Sequence, residues 1–207
     1  MRLLVVGAGG HAKVVIDAAE EAGFEIAAVV GVPTDVPEIL GHTVAHSREG
    51  IQADGFIVAI GGNVMRARYF AEYVEAGYQP VSVEHPSIIV GKDVEIGDGT
   101  FLAAGVVINA GARIGANSIL NTGCTVDHDC LIGAHSHIGP QAALCGGVRL
   151  GTGVLLGVGS CVAPLASVGE WSVVGAGAAV VDELPSHSVC IGVPARATRA
   201  VEEPARD

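Results

Sequence analysis

From Val90 onward every sixth residue is aliphatic: Val90, Ile96, Leu102, Ile108, Ile114, Leu120, Val126, Ile132, Ile138, Leu144, Leu150, Leu156, Val162, Val168, Val174 and Val180. Two places before most of them stands a small or β-branched residue, as at Thr100, Ala112, Ser118, Cys124, Cys130, Ser136 and Ala142. Just after them glycine is common, as at Gly91, Gly97, Gly115, Gly133 and Gly139. A short period that never slips marks a hexapeptide β-helix, in which each hexad is one short strand and one corner and three hexads close a coil. Strand alternation turns the sixth and fourth residues of a hexad inward and the third and fifth outward. Glycine after the aliphatic is then expected to adopt the corner's unusual dihedrals.

Residues 1–84 follow another rhythm. Leu3 to Val6 reads as a buried strand, Gly7 to Gly10 as a tight turn, and His11 to Ala22 as a helix ended by Gly23. Phe24 to Val30 and Gly55 to Ile60 read as further strands; Asn63 is placed to cap a helix through Ala76, and Tyr78 to Val83 completes the series. Strands alternating with helices predict a small parallel, Rossmann-like α/β sheet whose ligand edge lies beyond the carboxyl ends of the strands, at Gly7–His11 and Gly61–Asn63. His85-Pro86 marks the passage into the repeat. The expected organisation is an α/β domain over 1–84, a β-helix over 85–186 and a C-terminal cap and tail over 187–207.

Composition narrows the function. The net charge is −11 with 11 Lys and Arg, and no basic run occurs, which argues against a nucleic-acid partner. The opening MRLLVVGAGG holds too short an apolar run for a signal-peptide core or a membrane span, so a cytoplasmic protein is expected. Five cysteines without a C-x-x-C pair read as free thiols. Cys124 and Cys130 fall on inward places, whereas Cys145 falls at a corner beside Gly146. Burial inside so narrow a prism does not offset the ordering of its backbone, so self-association through an outer face is expected.

Thr125-Val-Asp-His-Asp-Cys-Leu-Ile-Gly-Ala-His-Ser-His137 concentrates the titratable chemistry. His128 is the second residue of its hexad and points outward, beside Asp129, with Asp127 as a second carboxylate. His135 and His137 fall on outward places three and five, so an H-x-H zinc pair of the kind found in β-helix carbonic anhydrases is a rival reading; otherwise His135 is an exposed bystander. Gly7-x-Gly9-x-x-Ala12 is a loosened dinucleotide fingerprint, but the acid that would hold a ribose is replaced by Gly31-Val32. A loop whose amides face a diphosphate at a helix N-terminus is the better reading.

Gly7-Ala-Gly-Gly-His-Ala-Lys-Val-Val15, Ala59-Ile-Gly-Gly-Asn-Val-Met-Arg66, Val107-Ile-Asn-Ala110, Leu120-Asn-Thr122, Asp127-His-Asp-Cys-Leu-Ile-Gly133 and Ile191-Gly-Val-Pro-Ala-Arg196 together resemble the PglD/NeuD-like bacterial sugar acetyltransferases. The resemblance implies a left-handed β-helix, a homotrimer, and transfer of acetyl from acetyl-CoA to the amine of a nucleotide-linked 4-amino sugar, with no metal. It implies that His128 is the general base and Asp129, where the family commonly has Glu, the acid that orients it. His137, Asn121, Gly146 and Arg196 are implied near the cofactor, and Gly9, Gly10, His11 and Asn63 near the nucleotide-sugar. Relatives often carry paired acids where Gly31-Val32 stands. O-acetylation of a sialic-acid-like sugar and a non-catalytic nucleotide-sugar-binding protein are the alternatives.

Overall fold

The structure is a computed structural model that describes residues 1–31 and 36–201. The front domain contains β1 (Arg2–Val6), α1 (Gly10–Glu21), β2 (Glu25–Val30), β3 (Glu38–Ile39), β4 (His42–Ala45), β5 (Gly55–Val58) and α2 (Asn63–Glu75). Its sheet runs β3-β4-β2-β1-β5, parallel except for β3, which pairs antiparallel with β4. Alternation along β1 divides the core. Leu3 and Val5 join Val15 and Ile16 of α1, whereas Leu4 and Val6 join Phe56 and Tyr73 on the side of α2. Gly7 ends β1 at φ +117°, and a Cβ there would stand 2.9 Å from the Ala59 carbonyl oxygen, so only glycine lets β1 and β5 end side by side. Gly31 donates its amide to Ala45 at 2.9 Å. Its neighbour Val32, the other half of the replaced acidic pair, lies outside the described residues.

The expected last strand of the front sheet, Tyr78 to Val83, divides between the two modules. Phe56 of β5 bonds Gln79 and Val81 at 2.9 Å each, but Val83–Glu84 turns away and pairs in parallel with Phe101–Leu102. The front domain therefore supplies the first rung of the β-helix.

Three parallel sheets form that β-helix, with partners 18 residues apart: Val107 beside Thr125, Arg113 beside Leu131, Ile119 beside His137. The first face, here called the docked face, carries Phe101–Leu102, Ile119–Leu120, His137–Ile138, Leu155–Leu156 and Val173–Val174 in order. The second runs from Ile89–Val90 to Ala179–Val180, and the third from Glu95–Ile96 to Ser167–Val168. Of the sixteen periodic aliphatics, all from Leu102 to Val180 are buried; Val90 is 42% exposed and Ile96 partly buried at the open N-terminal mouth. At the other end Leu184, Cys190 and Ala195 close the core. Ser188–Ile191 and Arg196–Ala200 then fold as an antiparallel pair on the edge of the docked face.

Glycine after the aliphatic has a different cause from the one expected. The left-handed corner residue is the third of each hexad: every sixth residue from Asp93 to Gly177 has φ between 54° and 74°. At Gly133, after Ile132, a Cβ would stand 2.5 Å from the backbone of Gly151 in the next coil. Those glycines answer close approach of stacked backbone, and the third place, whatever its side chain, takes the strained dihedral.

Exposure of the fifth place depends on the face. On the third face it carries Glu95, Arg113 and Arg149, all exposed. On the docked face Phe101 and Ile119 are each 1% exposed and share a core with Ala12, Val15 and Ala19 of α1. The two modules are thus joined by an apolar seam.

Candidate active site

His128 stands at the corner between the second and third faces. Its amide and the Asn109 side chain both donate to Asp127 Oδ1, at 2.8 and 2.9 Å, which fixes the backbone around it. Asp129, in the left-handed corner conformation at φ 59°, brings its Oδ2 to 2.8 Å from His128 Nδ1. A carboxylate only accepts, so Nδ1 carries the proton and Nε2 keeps a free lone pair. The shorter Asp reaches the ring because the corner folds the chain back. The imidazole, 62% exposed, has its pKa raised above the usual 6.5 by the Asp129 hydrogen bond and then by the charge of Asp127. Its ring lies across Gly146 of the next coil, where a Cβ would fall 2.6 Å from Cε1 and Nε2. Gly146 therefore makes room for the imidazole.

A second cluster lies where the front domain meets the docked face. Gly9 precedes the first residue of α1, and Gly9 and Gly10 are exposed with open space where a Cβ would be, so backbone amides are accessible there. His11 turns inward: its ring packs edge-on to Phe101 at 5.5 Å and 6.1 Å from the ring of His137. Its Nε2 is buried with no partner among the described residues. His137 Nδ1 lies 3.1 Å from the Gly61 carbonyl and Nε2 3.1 Å from Asn121 Nδ2. Since Gly61 can only accept and that amide nitrogen can only donate, His137 carries its proton on Nδ1 and binds across the module boundary. Burial, followed by His137 and Arg66, lowers the His11 pKa to about 4; burial, followed by Arg66, lowers that of His137 to about 4. Both rings are neutral at neutral pH.

Several expectations change here. Asn63 does not cap α2: Gly62 holds that position without a side-chain bond, and Asn63 instead donates to the Gly153 carbonyl at 2.9 Å. His135 is neither an outward strand residue nor an exposed bystander. It occupies a left-handed corner, meets Asn117 Nδ2 through Nδ1 at 2.8 Å and packs edge-on to Phe70. The zinc pair imagined with His137 is thus divided between a corner and a strand, each ring already bonded. Among the described residues no group of three or more His, Cys, Asp or Glu is placed to hold a metal ion. Arg196 is exposed and donates to the Ala195 carbonyl at 2.8 Å.

Two residues of this region carried no role in the sequence reading. Arg66 is 1% exposed and bonds both modules, and Asn117 is fully buried beside it. The available signal was Asn63-x-x-Arg66 just after a glycine pair, which puts both side chains on the loop-facing side of the first helical turn.

Within one chain, eight of the predicted residues form two groups. Gly10, His11, Asn63, Asn121 and His137 gather on or beside the docked face. His128, Asp129 and Gly146 stand at the corner between the other two faces, the vertex of the triangular prism opposite the docked face. Near the first group an apolar cleft of about 430 Å³ runs along the docked face between Gly61–Val64 and Leu155, Trp171 and Val173. A hollow of about 360 Å³ at the carboxyl ends of β1, β2 and β4 is lined by Val30, Gly31, His46, Arg48, Glu72 and Tyr73.

The PglD N-terminal domain matches residues 2–73, and the bacterial transferase hexapeptide model (six repeats) matches residues 93–128. Among solved structures, the chain is similar to PerB from Caulobacter crescentus in complex with CoA and GDP-perosamine. The two are 39% identical over 96% of this chain and 98% of that one, with a TM-score of 0.90. It is also similar to the acetyltransferase domain of PglB from Neisseria gonorrhoeae in complex with acetyl coenzyme A, at 32% identity over 95% and 98% of the chains, with a TM-score of 0.87. WeeI from Acinetobacter baumannii, at 23% identity with a TM-score of 0.88 over 96% of this chain and all of that one, shares the fold.

Proposed function

The chain belongs to the PglD-like, acetyl-CoA-dependent sugar acetyltransferases, and we propose that it transfers acetyl to the amine of a nucleotide-linked 4-amino sugar, with His128 as general base. The observation that carries the assignment of the base is the exposed imidazole itself. Its Nδ1 proton is held by Asp129 at 2.8 Å, and its Nε2, without a partner among the described residues, lies over the bare backbone of Gly146. The acceptor class is supported by the similarity, over nearly all of the chain, to PerB and to a perosamine N-acetyltransferase from the same organism, both solved with CoA and GDP-perosamine.

The acceptor's diphosphate docks against the amides at Gly9 and Gly10, with its base in the hollow at the ends of β1, β2 and β4. The sugar extends toward the docked face, past His11 and Asn63. Because His128 lies at the opposite vertex, a single site takes His128 from one copy and the Gly9–Gly10 loop, His137 and Asn121 from another, within a homotrimer. Acetyl-CoA lies in the groove between the two, beside Gly146, with Arg196 toward its phosphates.

As the amine nitrogen attacks the thioester carbon, Nε2 of His128 accepts its proton. A C–N bond forms, the carbonyl becomes an oxyanion held by backbone amides, and the C–S bond breaks on collapse. The proton passes from His128 to the departing thiolate, giving the amide and free CoA. His137 is an unsuited oxyanion donor, since its one N–H is bonded to Gly61. It serves instead to set the wall against which the acetyl group rests. Most of the acceleration comes from holding both reactants in one geometry.

The test is thiol release from acetyl-CoA with GDP-, UDP- and dTDP-linked sugars bearing an amine or a hydroxyl at the reacting carbon. Release with an amino sugar and its loss in His128→Ala, with both ligands still bound, is the expected result. Turnover near wild type in that variant removes His128 from its role. Mixed oligomers of His128→Ala and His11→Ala chains are expected to recover activity that neither has alone; no recovery would place both residues of a site in one copy.

A further inference from the structure

We propose that Arg66 is a positioning residue, one that fixes the loop between β5 and α2 in register with the β-helix. For its effect on rate this rests on the acetyl-transfer reading; its effect on structure does not.

The guanidinium is buried at the boundary between the modules, and every acceptor it reaches among the described residues is a carbonyl or amide oxygen. Nη1 donates to the carbonyls of Ile60 and Gly61, each at 3.1 Å, inside the loop. Nη2 donates to Asn63 Oδ1 at 2.9 Å, at the first residue of α2, and to the carbonyls of His135 and Ser136 in the β-helix, at 2.7 and 3.1 Å. Nε donates to the Asn117 carbonyl at 2.9 Å, and Asn117 Nδ2 returns a bond to the Arg66 carbonyl at 3.3 Å. Asn63 then reaches the Gly153 carbonyl. Asn117, His135 and Gly153 are equivalent corners of three successive coils, 18 residues apart. One side chain and its bonded neighbour thus clip the loop to three rungs.

Six oxygens converge on a planar fork of five N–H groups, a demand an ammonium with three donors does not meet. The loop so held contains the Gly61 carbonyl that accepts from His137, and it borders both Gly62 at the start of α2 and the apolar cleft. Movement of the guanidinium would move the acceptor's side of the site relative to the wall formed by His137.

The charge has a second consequence. Desolvation lowers the Arg66 pKa to about 9, so it remains a cation at neutral pH. It faces His11, His135 and His137, and its field helps to keep these three rings neutral. His137 also opposes protonation of His11.

Wild type, Arg66→Met and Arg66→Lys are compared in three measurements: thiol-release kinetics corrected for folded fraction, amide hydrogen exchange, and NMR titration of the imidazole protons. For Arg66→Met, kcat is expected to fall by about 100-fold while the KM for acetyl-CoA changes by less than about twofold. Exchange at Gly61–Val64 is expected to quicken by about tenfold or more while the central coils stay protected. The titrations of His11 and His137 move up from about 4 in Arg66→Met. In Arg66→Lys they stay low, because the charge remains, although the loop still loosens. A purely structural brace would not separate the two variants in that way. If Arg66→Met does not fold, the lysine variant decides through its loop exchange and kcat. Unchanged loop exchange with kcat within about twofold of wild type overturns the proposal. Absence of thiol release from wild type would instead remove the acetyl-transfer reading, while exchange and titration would still judge Arg66.

Discussion

Replacing Gly146 by alanine isolates the placement of His128 from its chemistry. Gly146 is not among the left-handed corners, so its backbone accepts a Cβ without strain. That Cβ would lie 2.6 Å from both Cε1 and Nε2 of the His128 ring. Carbon atoms rest at about 3.5–4.0 Å, so the ring must retreat by roughly 1 Å. The coil below is fixed by ladder bonds on either side, such as Gly147 to the His128 carbonyl at 2.9 Å, whereas the imidazole is mostly exposed. The ring therefore yields, at a stability cost of under about 1 kcal/mol, as expected of an exposed side chain that is free to rotate. The retreat stretches the 2.8 Å bond to Asp129 and draws Nε2 from its line toward the amine. A misplacement of about 1 Å at a reacting group costs on the order of 100-fold in rate, or about 2.7 kcal/mol of transition-state stabilisation. Thiol-release kinetics, read beside thermal melts and calorimetric binding of CoA, separate the cases. Near-normal turnover in Gly146→Ala would show that the observed ring position is not the working one. Lost CoA binding with an unmoved ring would instead assign Gly146 to the cofactor.

Other outcomes follow from the same geometry. With Asp129→Asn, the raised His128 pKa falls back toward 6.5, so the acid limb of the kcat/KM profile should move to lower pH while its plateau drops; an unmoved limb would detach Asp129 from the base. His11 and His137 are neutral when folded, with pKa values near 4, and titrate near 6.5 when unfolded. The unfolded chain binds more protons between those values, so stability is full above about 6.5 and is lost as pH falls toward 4, by up to about 3 kcal/mol for either ring. Denaturant melts at pH 7 and pH 4.5 check this, and His11→Leu should flatten the loss. Phe101→Ala empties the seam beneath α1 and should cost about 3–5 kcal/mol, read from denaturant unfolding.

The reach of the sequence can be judged residue by residue. The hexads were legible because a six-residue period is local: Leu102 through Val180 are inward as spaced, and Cys124 and Cys130 are buried as their register required. Leu3 to Val6, α1 and α2 were legible for the same reason, to within a residue or two at their ends. The hairpin of β3 and β4 was not, since its strands are too short to carry a period. His128 beside Asp129 could be named as a pair from two adjacent letters. That the shorter acid reaches the ring depends on a left-handed corner which spacing had assigned to another residue.

Tertiary structure alone decided which outward places are outward at all. Phe101, Ile119 and His137 share a register with Glu95, Arg113 and Thr125, but the front domain covers one face of the prism and not the others. The same docking buries His11, gives His135 and Arg66 their partners, and draws Val83–Glu84 out of the front sheet into the first rung. A chain's own period fixes which side chains enter the prism, because that depends on neighbours within a hexad. Which face meets another body depends on contacts between residues far apart in sequence, and no local pattern carries that information.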